Sequence, residues 1–183
     1  MRVRKRNRLI LLSFLVIVLI AGIYLFYDLV ITANKTTSPD GERWASYNRI
    51  TNTTTVENNS GDVNLRWHIG GLENPSFLWS PNSRFLATTF TAADGNRRAE
   101  IMDTEQNNST IVPTELDIQT IEDLPHTIAQ IDGIYWHDND NVSVWFTYPS
   151  DEHGQTISGS FLFEFSSYTI WHLTYNRMTS SQY

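Results

Sequence analysis

Apolar positions fall into two regimes along this chain. From Leu9 to Tyr27 they are continuous and carry no charge, and Leu29, Val30 and Ile31 extend the run past Asp28. From residue 38 onward they come in short runs that alternate with polar positions and end in turn residues. The first pattern predicts an apolar helix. The second predicts β-strands, whose side chains alternate between the two faces of a sheet.

The uncharged run is about 19 residues, which at about 1.5 Å per residue spans roughly 28 Å, close to the hydrocarbon thickness of a bilayer. A basic cluster that includes Arg4, Lys5 and Arg6 precedes it, and Tyr24 and Tyr27 stand at its far end as an interfacial aromatic belt. The expected organisation is a cytoplasmic basic N-terminus (1–8), a transmembrane helix (9–31), a polar linker (32–37), an all-β domain (38–176) and a short tail (177–183). Positive flanks stay inside, so the domain is expected outside the cell membrane. The rival is a cleaved secretory signal, but the run is long for one and no small-residue cleavage site follows it.

The strand runs form a repeat. Phe77-Leu78-Trp79 leads into the turn Ser80-Pro81-Asn82-Ser83, then Arg84–Phe90, a turn at Asp94-Gly95-Asn96, Arg98–Asp103, a turn at Gln106–Asn108, and Ser109–Val112. Ile134-Tyr135-Trp136 restarts the pattern, followed by Asn141–Tyr148, Ser160–Phe165 and Thr169–Leu173. A weaker copy begins at Ser38-Pro39-Asp40-Gly41 with Arg43–Tyr47, and has Val63–Ile69 as a later strand. Ser38 and Ser80 lie 42 positions apart, and Trp79 and Trp136 lie 57 apart. The longer interval holds residues 113–130, which read as a short helix or a long loop. Four strands at such a period are the signature of a propeller blade.

Trp79-Ser80-Pro81-Asn82-Ser83-Arg84-Phe85-Leu86-Ala87 resembles the W-S-P-D-G-K-x-I-A element of TolB-type, WD-repeat-like β-propellers, as does Ser38–Ala45. The third copy keeps the tryptophan and a polar turn, Trp136–Asn141, but has neither proline nor glycine there. The resemblance implies a fold of antiparallel four-stranded meanders, about three units, behind one transmembrane helix. It implies no particular activity. Closed propellers use four to eight blades, so three units leave a deficit. The alternatives are pairing with another copy or partner, a sandwich or small barrel built from the same meanders, and edges covered by loops such as 113–130.

Charge narrows the partners. Five of the 13 basic residues precede the apolar run, which leaves eight against 20 acids, about −12 beyond it. That argues against nucleic acid or an anionic lipid surface as a partner of the domain. There is no cysteine, which excludes thiol catalysis and cysteine-held metals.

The chemistry-bearing residues are scattered. The histidines stand at 68, 126, 137, 153 and 172, and His68 and His172 read as half-buried strand residues. Asp138-Asn139-Asp140-Asn141 alternates oxygens as a calcium loop does, but Val142 breaks the pattern and a β-turn fits better. Asp151-Glu152-His153-Gly154 reads as a hairpin tip. No catalytic residue, metal site or cofactor is expected.

The aromatics are more suggestive. Trp79 and Trp136 belong to the core by their repeat position. Trp145 alternates with Val144 and Phe146, so the two point to opposite faces; a core between two sheets is the favoured reading and an exposed aromatic patch on one face is the alternative. Trp145, Trp171 and Tyr148 are the candidate binding residues. The expected function is a non-catalytic binding or scaffold module, membrane-anchored through 9–31, with a protein partner or self-association. The rivals are an accessory subunit of a larger membrane complex and a glycan-binding or small hydrolytic surface protein.

Overall fold

The computed structural model describes residues 2–26, 32–68, 73–116, 128–148 and 155–179, with the side chains of the N-terminal helix described from Leu12 onward. Helix α1 runs Arg2–Phe26. Three four-stranded antiparallel sheets follow, each in simple meander order. The first holds β1 (Thr32–Thr37), β2 (Arg43–Asn48), β3 (Thr53–Asn58) and β4 (Val63–His68). The second holds β5 (Glu73–Trp79), β6 (Phe85–Thr91), β7 (Arg97–Asp103) and β8 (Asn108–Ile111). The third holds β9 (Gln130–Trp136), β10 (Asn141–Tyr148), β11 (Gln155–Glu164) and β12 (Thr169–Thr179).

Three blade-like sheets match the repeat. Several boundaries differ from expectation. Residues 32–37, read as a linker, are β1, paired to β2 from Thr32↔Asn48 to Thr37↔Trp44. Backbone bonds hold such a strand whatever its side chains, so the polar run Thr-Ala-Asn-Lys-Thr-Thr gives no apolar signal. β12 extends to Thr179, into the expected tail, and 117–127 lie outside the described residues.

The helix also needs correction. Among the described residues no helix is long and apolar enough to cross a membrane. The described apolar stretch, Leu12 to Phe26, is about 15 residues or roughly 22 Å, short of the ~30 Å hydrocarbon core. Tyr24 is exposed on it, while Tyr27 and the side chains of Arg4, Lys5 and Arg6 fall outside the described residues.

The sheets stack face to face in chain order. One cluster joins the first two through Ala45, Val56, Trp79, Leu86 and Met102. A larger one joins the second and third, with Phe85, Ala87 and Ile101 meeting Val142, Val144 and Phe146. Strand alternation makes this possible, because Leu86 faces back to the first sheet while Phe85 and Ala87 face forward to the third. The middle sheet is thus apolar on both faces.

The Ser-Pro turns explain how each sheet begins. In both, the serine N–H donates to a strand carbonyl, Ser38 to Arg43 at 2.8 Å and Ser80 to Phe85 at 2.9 Å. The serine Oγ accepts in return, from Arg43 N at 3.0 Å and Phe85 N at 2.8 Å. Both serines donate to the side chain two residues on, Asp40 and Asn82. The next residue takes a left-handed conformation, Gly41 at φ 73° and Ser83 at φ 62°. Glycine adopts it freely and serine at some cost. Ser83 has a compensating contact, since its Oγ accepts from Asp40 N at 3.0 Å and ties the two turns together.

A tryptophan repeats at each junction. Trp79 Nε1 donates to the Thr36 carbonyl of the preceding sheet at 3.4 Å, and Trp136 Nε1 donates to that of Leu78 at 3.0 Å. Thr36 and Leu78 stand at the same place, two before the turn serine. Trp136 also joins Phe85 and Phe165 in an aromatic trio with ring centroids 4.8 to 6.3 Å apart. Both repeat tryptophans therefore lie in or against the core, as their positions predict.

Two predictions test this packing. Gly159 faces Phe146 and Tyr175 across its two neighbouring strands. A Cβ there would lie 2.2 Å from the Thr174 carbonyl oxygen and 2.8 Å from Phe146 Cζ. Both the backbone and a core ring would have to move, so Gly159→Ala is expected to lower the urea midpoint by the equivalent of about 3 kcal/mol or to abolish folding. Unchanged stability would contradict the close approach of the strands.

The second concerns Asp103. Burial alone would raise its pKa, but the Arg84 guanidinium (2.6 Å) and the amides of Glu105 and Gln106 outweigh that, so the carboxyl titrates below its ordinary value. A lowered native pKa adds stability that is complete above the unfolded value of about 3.9 and is lost as pH falls through the native value. Asp103→Asn is therefore expected to destabilise the protein at pH 7 by about 1–3 kcal/mol and to flatten the acid limb of its stability–pH curve below about pH 4, read by thermal melts.

Candidate binding face on the third sheet

The inner face of the third sheet carries Val142, Val144, Phe146 and Tyr148 on β10, all buried. By alternation Ser143, Trp145 and Thr147 point the other way. Register carries that outer face across all four strands. Ser143 pairs with Tyr135 on β9 and with Leu162 on β11, and Leu162 pairs with Trp171 on β12. Tyr135, Ser143, Leu162 and Trp171 thus form one row. Trp145 stands in the next row, between Gly133 and Ser160.

Local irregularities shape the face. A bulge in β9 sets Asp132 apart, since Trp145 pairs with Gly133 while Phe146 pairs with Ile131. With no side chain at Gly133, the Tyr135 ring leans over it, 3.3 Å from where a Cβ would stand. Tyr135, Gly133, Trp145, Ser143 and Asp132 line an open hollow of about 580 Å3. A second bulge lies in β12, where Ser160 pairs with Thr174 and Leu162 with Trp171, leaving His172 in a left-handed conformation at φ 53°. It lets Ile170 and Leu173 both pack on the core while Trp171 turns outward.

The electrostatics of this face are muted. Asp132 is held by Arg97 (Nη1 to Oδ1, 3.2 Å; Nη2 to the backbone O, 2.8 Å) and accepts from Thr147 Oγ1. Glu164 accepts from Trp171 Nε1 at 3.2 Å. The remaining polar groups are largely hydroxyls, some bonded to each other, such as Thr147 with Ser158 and Ser160 with Thr174.

Two of the three predicted binding residues lie on this face, on β10 and β12. Trp145 is 55% exposed and Trp171 is 50% exposed. Tyr148 does not join them. It is fully buried on the opposite face, where its hydroxyl accepts from Leu116 N at 3.3 Å and burial pushes its phenol pKa up. Tyr148 shares the parity of Val144 and Phe146, which already places it inward. Tyr135, 60% exposed, is the member that the sequence reading missed, and its alternation with Ile134 and Trp136 is the signal that marks it.

The other candidates resolve simply. Asp138 caps a turn, its Oδ1 accepting from the amides of Asp140 and Asn141 at 2.8 Å each. These bonds lower its pKa. His172, expected half-buried, is exposed at the bulge. His126, His153, the 151–154 tip and the side chain of His68 lie outside the described residues. Among the described residues no three metal-ligating side chains come together.

The first sheet ends differently. Its outward positions on β2 are Trp44, Ser46 and Asn48, with Lys35 Nζ 5.1 Å from the centroid of the Trp44 ring and Ser46 hydrogen-bonded to Thr55 at 3.0 Å. That end is closed by polar side chains. The exposed aromatic band belongs to the third sheet.

No family model matches the sequence, and no curated protein matches it in sequence. Solved structures resemble the fold. The acylaminoacyl peptidase of Pyrococcus horikoshii aligns with a TM-score of 0.51 at 13% identity, over 83% of this chain and 26% of that one. The WD40 domain of Toxoplasma gondii coronin aligns at 0.47 and 10%, over 82% and 35%. The β-propeller domain of Myceliophteria_thermophila Cps50 (Swd1) aligns at 0.46 and 8%, over 78% and 42%. The chain therefore spans less than half the length of each. At such identities the likeness is one of fold alone: all-β, with antiparallel four-stranded sheets built like propeller blades.

Proposed function

We propose that this chain is a non-catalytic protein-binding module, of TolB-like build, held at a membrane surface by its N-terminal helix. The observation that carries the binding reading is the outer face of the third sheet. Tyr135 and Trp145 line one hollow, Trp171 stands on the same face, and all three are at least half exposed; exposed apolar groups gathered on one face mark interaction sites. A rigid sheet positions Tyr135, Trp145 and Trp171 at little entropic cost to a partner.

The anchoring half of the proposal rests on the uncharged run Leu9–Tyr27 and its basic flank. It is supported by the described part of α1, where Leu12, Leu15, Leu19 and Ile23 are all more than 60% exposed and apolar side chains cover every side. A helix that is apolar all round needs an apolar surrounding, which bilayer would supply. The uncharged run Leu9–Tyr27, longer than the described apolar stretch, would with its basic flank put the N-terminus in the cytoplasm and the three sheets on the extracytoplasmic side.

Each half has its own test. Alkaline carbonate is expected to leave the full chain in the membrane pellet, and Leu15→Lys with Leu19→Lys to release it to the supernatant. Release of the unmodified chain would overturn the anchor. For binding, a photoreactive side chain at Tyr135 (Tyr135→p-benzoylphenylalanine) is expected to give a discrete adduct in intact membranes. The same substitution at exposed Ile50 is expected to give none. No adduct at 135, or the same smear from both sites, would overturn the binding face.

A further inference from the structure

We propose that the turn joining β2 to β3, with Ile50 at its apex, rests in the lipid headgroup layer, so that the sheets stand on the bilayer by one rim. The inference rests on the anchoring reading above and adds a second membrane contact, made by the β domain itself.

Register defines the rim. Thr32, the first residue of β1, pairs with Asn48 at the end of β2, and Asn48 pairs with Thr53 at the start of β3. The chain therefore enters the first sheet beside the turn 49–52. The second sheet repeats this order, with Glu73 paired to Thr91 and Thr91 to Arg97 across the turn 92–96. In the third sheet Gln130, the first residue of β9, pairs with Thr147 near the end of β10. Side chains tie these places together. Arg97 N donates to Gln130 Oε1 at 2.6 Å, and Gln130 Nε2 donates to Asn96 Oδ1 at 2.7 Å. The Ser-Pro turns belong to the opposite rim, where Asp40 N donates to Ser83 Oγ at 3.0 Å and Arg43 Nη1 donates to Thr104 Oγ1 at 2.7 Å.

Chain length decides which rim meets the bilayer. Helix α1 ends at Phe26 and β1 begins at Thr32. The six Cα steps between them reach at most roughly 20 Å. A six-residue strand such as β2 rises about 17 Å from one rim to the other. Standing the sheets on the Ser-Pro rim would demand a connection stretched along nearly the whole height of the first sheet. Standing them on the 49–52 rim leaves the connection slack.

The apex residue fits that place. Ile50 is 72% exposed, more than any other large apolar side chain among the described residues. Its turn is firmly built. Asn48 Oδ1 accepts from Ile50 N at 2.9 Å and from Thr51 N at 3.1 Å. The buried Tyr47 donates its hydroxyl to Asn52 Oδ1 at 2.9 Å and fixes the turn to the interior. An isoleucine already held in place leaves water for a headgroup layer with little further ordering. Exposed Arg49 stands beside it, with a guanidinium that matches lipid phosphate. Acids outnumber bases beyond the helix and are repelled by an anionic surface, so the contact is with zwitterionic lipid.

The cysteine-free sequence makes the test direct, because any introduced cysteine is unique. The full chain is placed in phosphatidylcholine vesicles with a fluorophore on Ile50→Cys, Ala93→Cys or Asn139→Cys. Ala93 is exposed in the turn 92–96, and Asn139 is exposed on the opposite rim. A lipid spin-labelled at its headgroup is expected to quench the label at 50 about threefold more than the label at 139, with 93 between them. Adding Ile50→Asp to Ala93→Cys is expected to lower the quenching at 93 and to leave the thermal melt unchanged.

Equal quenching at 50 and 139, or stronger quenching at 139, would overturn the contact. So would quenching at 93 that Ile50→Asp leaves as it was. Release of the chain from the vesicles by alkaline carbonate would overturn the anchoring reading itself. A chain that stays in the pellet with an unquenched label at 50 would overturn the headgroup contact alone.

Discussion

Everything in this domain follows from the need of each sheet to cover its faces with the next. A four-stranded meander has two faces, and isolated it would leave one row of apolar side chains in water on each. The second sheet meets the constraint fully, with Leu86 and Met102 buried toward the first sheet and Phe85, Ala87 and Ile101 toward the third. The tryptophan bonds from Trp79 to Thr36 and from Trp136 to Leu78 set where each sheet lies against its predecessor. Their individual contribution is about 1 kcal/mol. Their value is registry, because an indole shielded from water must find a partner for its N–H.

The same constraint makes the two ends of the stack informative. The first and third sheets each have one face that no other described sheet covers, and capping repeats usually make such a face polar. The first sheet does so with Ser46, Asn48 and Thr55, and even its tryptophan, Trp44, is covered by the Lys35 ammonium. The third sheet places Tyr135, Trp145, Leu162 and Trp171 outward instead. The two faces differ in exposure as well as composition: Ser46 is buried on the first sheet, while Trp145 and Trp171 are about half exposed on the third.

Much of the architecture was legible because strand alternation and turn chemistry act locally. The Ser-Pro turns at 38 and 80, the Asp94-Gly95 turn and the parity of β10 all read directly from residues. β1 and β3 were not legible for one reason. Thr-Ala-Asn-Lys-Thr-Thr and Thr-Thr-Thr-Val-Glu-Asn offer one apolar residue each, Ala33 and Val56, and both strands pair with β2. Half of the candidate face could be read in the same way. Trp145 follows from parity, and Tyr148 should have been excluded by it. Trp171 could be named as an aromatic but not assigned a face, because the bulge at His172 breaks alternation and only register across β11 restores it.

That bulge links the local strain to the proposed interface. Histidine at φ 53° is an uncommon conformation for a residue with a side chain, and it costs of order 1 kcal/mol or more. Phe161, buried opposite it, and the inward pair Ile170 and Leu173 offset that cost by packing on the core. The consequence on the other side of the strand is that Trp171 faces out, in line with Leu162 and Tyr135. A regular strand that kept Leu173 inward would have turned Trp171 inward as well, by the same period of two. The extra residue in β12 therefore separates two demands: core packing by residues 170 and 173, and an outward aromatic at 171. The outward apolar set of Tyr135, Trp145, Leu162 and Trp171 reaches all four strands only because of it.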